Sequence, residues 1–394
     1  MPVPAAIVGI SEYPDRVAAG TSELRMKAHC ALEALADAGL TLADVDALYD
    51  APETGVLSLL STSEYLGVTP KAFDGTNFAG ASYEAHALHA ARDIAAGRAK
   101  VALLTYGSRS RSNNRAIGTS APRSTYPGAV TEMEAPWGLP VAANYAMLAT
   151  RHMYEYGTTA EQLAEIAVVC RYHATRNPDA VRGLQALGIK NAGELTVADV
   201  VNSRLVADPL HVLDCCLVSD GAGAVVIASP EVAADCRQKP VWILGGGEAT
   251  DAVRPGSDIT TTAGRRSGAD AFGSAGVSPA DIDVAMMYDS FTITVLAALE
   301  DLGFCGKGEG GAFVADGRLR FDRPGGPALN TDGGGLSSTH PGMRGIFLLI
   351  EAARQLRGQS TSQVPGAELA VAHGNGGQLG TRHASATVIL GASR

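Results

Sequence analysis

Ala38-Gly39-Leu40-Thr41-Leu42-Ala43-Asp44-Val45-Asp46 recurs 237 residues later as Ala275-Gly276-Val277-Ser278-Pro279-Ala280-Asp281-Ile282-Asp283, with five of the nine positions identical. Each copy leads into a short apolar run, Ala47-Leu48-Tyr49 and Val284-Ala285-Met286-Met287, that reads as a strand. An Ala-rich stretch of helical character precedes the first copy, and a less clear one the second. A further pair joins Ala90-Ala91-Arg92 to Ala352-Ala353-Arg354, each near the end of a helix-period segment closed by a glycine, Gly97 and Gly358. A third joins Ala222-Gly223-Ala224-Val225-Val226-Ile227 to Ala384-Ser385-Ala386-Thr387-Val388-Ile389, both with the apolar, β-branched texture of buried central strands. Three matches in one order predict a duplicated α/β unit.

The duplication divides the chain. Residues 1–107 and 211–236 form the first half, 237–394 form the second, and 108–210 are an insertion into the first. Within the insertion an irregular stretch from Ser108 to about Gly138 precedes helical segments at Ala146–Tyr156 and Thr159–Thr175, the latter opened by Thr159 with Glu161 and Gln162 behind it. An insertion on one copy of a symmetric scaffold is where specificity is expected to reside.

Composition narrows the function. The 394 residues are 46% hydrophobic and 18% charged, enough to bury a large core. A net charge of −10 argues against a general nucleic-acid or anionic-membrane surface. The 46 glycines, about 12% of the chain against ~7% in ordinary proteins, announce tight turns and close backbone approaches. Six cysteines without a CxxC pair give neither a zinc site nor a disulfide framework, which fits a reducing cytoplasm and predicts no bound metal. The N-terminal residues lack a basic region followed by an apolar core, and no run reaches the ~18 apolar residues of a membrane span.

The duplicated plan, the insertion and the stretch Asp214-Cys215-Cys216-Leu217-Val218-Ser219-Asp220-Gly221-Ala222-Gly223-Ala224-Val225-Val226 together resemble the thiolase superfamily, in its sterol-carrier and lipid-transfer branch. Tyr288-Asp289-Ser290-Phe291, Gly333-Gly334-Gly335-Leu336-Ser337-Ser338-Thr339-His340-Pro341-Gly342 and His373-Gly374-Asn375-Gly376-Gly377 follow in the expected order. The resemblance implies a five-layered α/β/α/β/α fold, a homodimer and an acyl-CoA ligand, with CoA entering as part of the substrate and no separate cofactor.

The thiols of such enzymes are missing. A cysteine nucleophile is expected near a helix start in the first half, where the chain reads Asn77-Phe78-Ala79-Gly80-Ala81-Ser82-Tyr83, and no cysteine lies between Cys30 and Cys170. Ser82 is the nearest hydroxyl, either a helix cap, a substrate contact or a substitute nucleophile. The second cysteine is also absent, since none follows Cys305, and His373 stands near its place, as a site residue or as a hydrogen-bonded turn histidine. Two groups remain for chemistry. By resemblance His340 keeps the family's histidine, able to hydrogen-bond a thioester oxygen as charge develops, and Tyr288 stands where many relatives carry asparagine or histidine and where aldolase-like relatives carry tyrosine. A phenol serves as general base or acid when a neighbour stabilises its anion. Asp289 is left outside the catalytic set, as an orienting residue or a cap of the next helix. Asn330, Gly334 and Gly376 belong to turns that let the backbone approach a ligand. Arg109, Arg111, Arg115, Arg171, Arg176, Arg265 and Arg266 are the cations available for CoA phosphates.

These groups suit a retro-aldol cleavage of a β-hydroxyacyl-CoA, which needs no enzyme nucleophile. The substrates implied by resemblance are branched, of steroid side-chain type, and the partner implied is a small OB-fold zinc-ribbon protein. The alternatives are an acyltransferase using Ser82 or Cys305, or a non-catalytic acyl-CoA or lipid binder.

Overall fold

The structure, a computed structural model, describes residues 5–51, 57–115, 141–252, 256–379 and 382–394. The first half runs β1 (Ala6–Glu12), α1 (Glu23–Ala38), β2 (Ala47–Asp50), α2 (Ser58–Leu66), β3 (Ala72–Asp74), α3 (Ser82–Ala95) and β4 (Val101–Ser108). Four helices follow, α4 (Val141–Tyr156), α5 (Ala160–Ala174), α6 (Pro178–Ala186) and α7 (Val197–Val201), then a hairpin of β5 (Leu205–Ala207) and β6 (Leu210–His211), before β7 (Gly221–Ala228) adds the last strand of the half. α8 (Pro230–Asp235) closes the first half, and the second contains β8 (Val241–Ala252), α9 (Gly264–Ala275), β9 (Val284–Met287), α10 (Thr292–Asp301) and α11 (Gly310–Phe313). It ends with β10 (Ala328–Leu329), α12 (Gly334–Ser337), α13 (Gly345–Arg357), β11 (Leu369–Gln378) and β12 (Arg382–Gly391). Most of the irregular stretch read from Ser108 to Gly138 lies outside the described residues.

The nine-residue repeat is one capping device used twice. Gly39 and Gly276 close α1 and α9 in the left-handed conformation that glycine adopts without strain, at φ 80° and 71°. A single helical turn follows each, in which the Thr41 or Ser278 N–H donates to Asp44 or Asp281, 2.8 Å in both cases, and the chain is then aimed into β2 or β9.

Strand order carries the same doubling. One half reads β1-β7-β4-β2-β3 and the other β8-β12-β11-β9-β10, with matching directions: the inner pairs β2·β4 and β9·β11 are parallel, while β4·β7 and β11·β12 are antiparallel. The halves join where Ala6 pairs with Trp242 and Ile7 with Val241, so the hydrogen bonds form one continuous ten-stranded sheet.

Helices distribute over this sheet in layers. α1 packs on β1, β4 and β7, and α9 on β8 and β12, whereas α3 and α13 touch strands of both halves. These central helices, lying between the two halves of the sheet, are buried on nearly every side; α13 buries Ile346, Phe347, Leu349, Ile350 and Leu356. One core therefore gathers Ile7, Leu104 and Val225 with Met286, Ala372 and Val388, and two separate cores lie outside it. His89 of α3 ties the halves by polar contacts as well, bonding Asp74 of β3 and, at 2.9 Å, Glu248 of β8. In the insertion α5 has the expected cap, with Thr159 and Gln162 bonded reciprocally.

Candidate active site

Tyr288 follows the last residue of β9, and the strand end is fixed by a side chain. Asn330 sits at φ 44°, its amide oxygen accepts from the Met287 N–H at 2.8 Å and its amide nitrogen donates to the Met287 carbonyl at 2.9 Å. The Tyr288 N–H donates to the His373 carbonyl at 2.9 Å. So held, the buried ring enters the central layer, lying against Gly80, where an added Cβ would come within 2.2 Å of it.

His340 meets it there. Its backbone N–H donates to Ser219 Oγ at 3.0 Å, and its Nε2 stands 3.1 Å from Tyr288 Oη, with the rings edge to face at 5.5 Å. The phenol donates to the Gly342 carbonyl at 3.1 Å, and with that proton committed the imidazole Nε2–H is the donor to the phenol oxygen. Burial, with Arg344 adding to it, pushes the His340 pKa down to about 3, so the ring is neutral at physiological pH and donates without being charged.

Beneath this pair lies a buried ionic group. Arg344 is fully buried, its Nη2 2.7 Å from both oxygens of Asp332 and its Nε 3.2 Å from Asp289 Oδ1. Asp289 also accepts from the N–H groups of Gly335 (2.8 Å) and Leu336 (3.1 Å), so it caps α12 rather than the helix that follows it in sequence. Burial raises the Asp289 pKa to about 6 against the opposing pull of Arg344.

Of the seven residues expected at the site, Tyr288 and His340 are brought into contact, and the other five are placed differently. His373 points away: Ala372 belongs to the central core and Val371 to the outer one, and the His373 ring follows Val371, bonding Thr387 Oγ1 at 2.8 Å. Burial lowers its pKa to about 4. Ser82 Oγ donates to the Ala79 carbonyl and accepts from the Phe78 N–H, both at 2.8 Å, which closes the turn before α3. Asn330 has both ends of its amide committed to Met287 and is a strut. Gly334 and Gly376 are spacers, since a Cβ at Gly334 would lie 2.1 Å from Asp289 Oδ2 and one at Gly376 would lie 1.5 Å from the Phe78 carbonyl oxygen. Among the cations, Arg171 is buried and bonded to Ser337 Oγ (2.9 Å) and the Asn191 carbonyl (2.8 Å), while Arg265 and Arg266 lie exposed on α9.

Two of the thiols are equally removed from chemistry. Cys170 is buried with its Sγ 3.8 Å from Asp289, and burial and that carboxylate hold its pKa well above the ordinary thiol range. The Cys305 thiol is pushed up to about 12 by burial. The residues that sequence reasoning missed are Arg344, Asp332 and Ser219. The one signal for them is proximity in sequence to the glycine turn, to the His-Pro-Gly turn and to the start of β7.

Known proteins share this fold. A family profile described as Thiolase C-terminal domain-like matches residues 212–392. The 17-hydroxy-3-oxo-4-pregnene-20-carboxyl-CoA lyase of Mycobacterium tuberculosis is 35% identical over 385 residues, covering 92% of this chain and 94% of the relative. The steroid side-chain-cleaving aldolase of Thermomonospora curvata is 35% identical over 378 residues, covering 92% and 93%. A solved Ltp2-ChsH2(DUF35) aldolase superposes with a TM-score of 0.86 at 33% identity, over 100% of this chain and 99% of that one. A duplicated α/β frame with a buried tyrosine and histidine pair at its centre defines a thiolase-fold protein. The chain belongs to the thiolase superfamily, in the sterol-carrier-type group that includes the steroid side-chain aldolases.

Proposed function

We propose that the protein is a carbon–carbon lyase that cleaves a β-hydroxyacyl-CoA by a retro-aldol reaction, with Tyr288 as the base and His340 as the hydrogen-bond donor. The observation that carries this reading is the 3.1 Å contact between His340 Nε2 and Tyr288 Oη in a buried site without an available thiol. The imidazole N–H stabilises the anionic form of the phenol. The phenolate takes the proton of the substrate's β-hydroxyl, a carbonyl forms at Cβ, and the Cα–Cβ bonding pair moves onto the thioester as an enolate. Once Tyr288 carries that proton, the His340 N–H is free to turn to the enolate oxygen, where charge has developed. The proton held by Tyr288 returns to Cα, which releases a shortened acyl-CoA and restores the phenolate.

The substrate class is a branched β-hydroxyacyl-CoA of the steroid side-chain type, in keeping with the names of the relatives. CoA enters as part of that substrate, and the reaction requires no metal. The small OB-fold zinc-ribbon protein is the proposed partner, supported by the pairing of Ltp2 with ChsH2(DUF35) in the similar structure. The chain itself works as a homodimer through β3 and α2, which leave Phe73, Leu57, Leu60 and Tyr65 exposed. No disulfide joins any two of the six cysteines, in keeping with a reducing cytoplasm, and among the described residues no helix is long and apolar enough to cross a membrane.

The test is product analysis by mass spectrometry after incubation with a β-hydroxyacyl-CoA bearing a tertiary alcohol, with and without a co-encoded OB-fold protein. A ketone and a shortened acyl-CoA are expected, and Tyr288→Phe should lower turnover about a hundredfold to ten-thousandfold while CoA-ester affinity is retained. Binding of the ester without cleavage under either condition would assign the site to ligand binding alone.

A further inference from the structure

A guanidinium sealed from solvent is an uncommon residue, and the contacts of Arg344 are not scattered. Each leads to a segment that carries a working group. Its Nε faces Asp289, the residue covalently next to Tyr288. Its Nη1 donates at 2.9 Å to the Thr339 carbonyl, which belongs to the same peptide unit as the His340 N–H. Its Nη2 holds Asp332, whose Oδ1 accepts from the Gly334 N–H at 3.1 Å at the start of the glycine turn. Gly335 in that turn lies between the two side chains: a Cβ there would be 3.1 Å from the His340 ring and 3.2 Å from Arg344 Cδ.

We propose that Arg344 is the positioning residue of this site, a planar three-way clamp that fixes the Tyr288, His340 and 332–336 segments in one frame. The proposal rests on the retro-aldol reading for its kinetic consequence and on geometry alone for its structural one. A guanidinium suits the task because its Nη1 and Nη2 donors diverge in one plane, toward the Thr339 carbonyl and the Asp332 carboxylate, while its Nε edge lies 3.2 Å from Asp289 as an ion pair without a hydrogen bond, a spread that an ammonium cannot reproduce. The charges around His340 come from every side. Arg344 stands at the start of α13, Asp289 after β9, Asp332 before α12 and Glu84 on α3, while Glu12 of β1 acts on Arg344. Of these, Arg344 opposes protonation of the imidazole by its charge.

Two variants and two readouts test the clamp. Arg344→Lys keeps the charge beside Asp332 and loses the fork; kcat should fall about tenfold to a hundredfold with KM within threefold, because misplacement by about 1 Å is sufficient for such a loss. The double variant Arg344→Gln/Asp289→Asn removes one positive and one negative charge together. In that protein the ¹⁵N resonances of the His340 ring should shift, and its protonation should move to higher pH. Wild-type kcat and KM in Arg344→Lys would overturn the proposal. If the parent cleaves no β-hydroxyacyl-CoA, the reaction reading fails while the clamp is still decided: unchanged His340 resonances in the double variant overturn it, and displaced ones support it.

Discussion

Glu84 is a carboxyl enclosed by α3, α13 and β11, and neither of its oxygens has a hydrogen-bond partner among the described residues. Gly345 and Gly374 make room for it, since a Cβ at either would lie within 2.4 Å of Oε2. Burial raises its pKa to about 8. The folded protein thus keeps a proton that the unfolded chain releases near 4.5, so the stabilisation from this group is complete below that pH and is lost as pH rises through 8. At about 1.4 kcal/mol per pKa unit the swing amounts to several kcal/mol. Glu84→Gln keeps the shape and cannot ionise; denaturant melts should show it close to the parent at pH 5 and more stable at pH 8.5, and an equal decline in both proteins would refute the assignment. Tyr288 and His340 were singled out because the stretches that hold them resemble those of the thiolase superfamily, and the fold brings the two side chains into contact. Glu84, Asp289 and Arg344 were not, because charged residues are ordinarily solvated and nothing in their spacing announces burial. His373 was misread for a different reason: its face of β11 is decided by alternation from Ala372, and a turn-like glycine context concealed a strand.

At the level of elements, glycine content is two phenomena. Gly376 of β11 abuts the turn before α3, and Gly376→Ala would drive a methyl into the Phe78 carbonyl, with an expected loss of about 3 kcal/mol or more. Gly273 of α9 has nothing within 4 Å of an added Cβ, and Gly273→Ala should stabilise by about 0.5–1 kcal/mol through helix propensity. Urea melts of the two variants separate these cases; similar effects would mean that the close approach at Gly376 is absent. The same distinction explains how far the elements could be read in advance. The repeat announced itself because helix caps and one-turn boxes need particular residue types at fixed spacing, so chemistry was copied along with sequence. The three residues of β3 and the two of β10 are too short for any periodicity, and the junction of β1 with β8 depends on neighbours 235 or so residues apart that share no pattern.

For the molecule as a whole, the exposed edge of the first half is the feature that needs covering. Phe73 of β3 is 64% exposed, and Leu57 and Leu60, before and within α2, are 61% and 60% exposed. Phe73→Asp combined with Leu60→Asp should convert a dimer to a monomer in light scattering at micromolar concentration, whereas a monomeric parent would dismiss the homodimer. The opposite edge of the halves needs no such cover, because β1 and β8 meet there through two residue pairs and α3 and α13 span the junction. That arrangement has made the duplication irreversible. Each sheet borrows half of its cover from a helix encoded in the other copy, so neither copy could now be excised and remain sealed, and two formerly interchangeable modules have become mutually obligate.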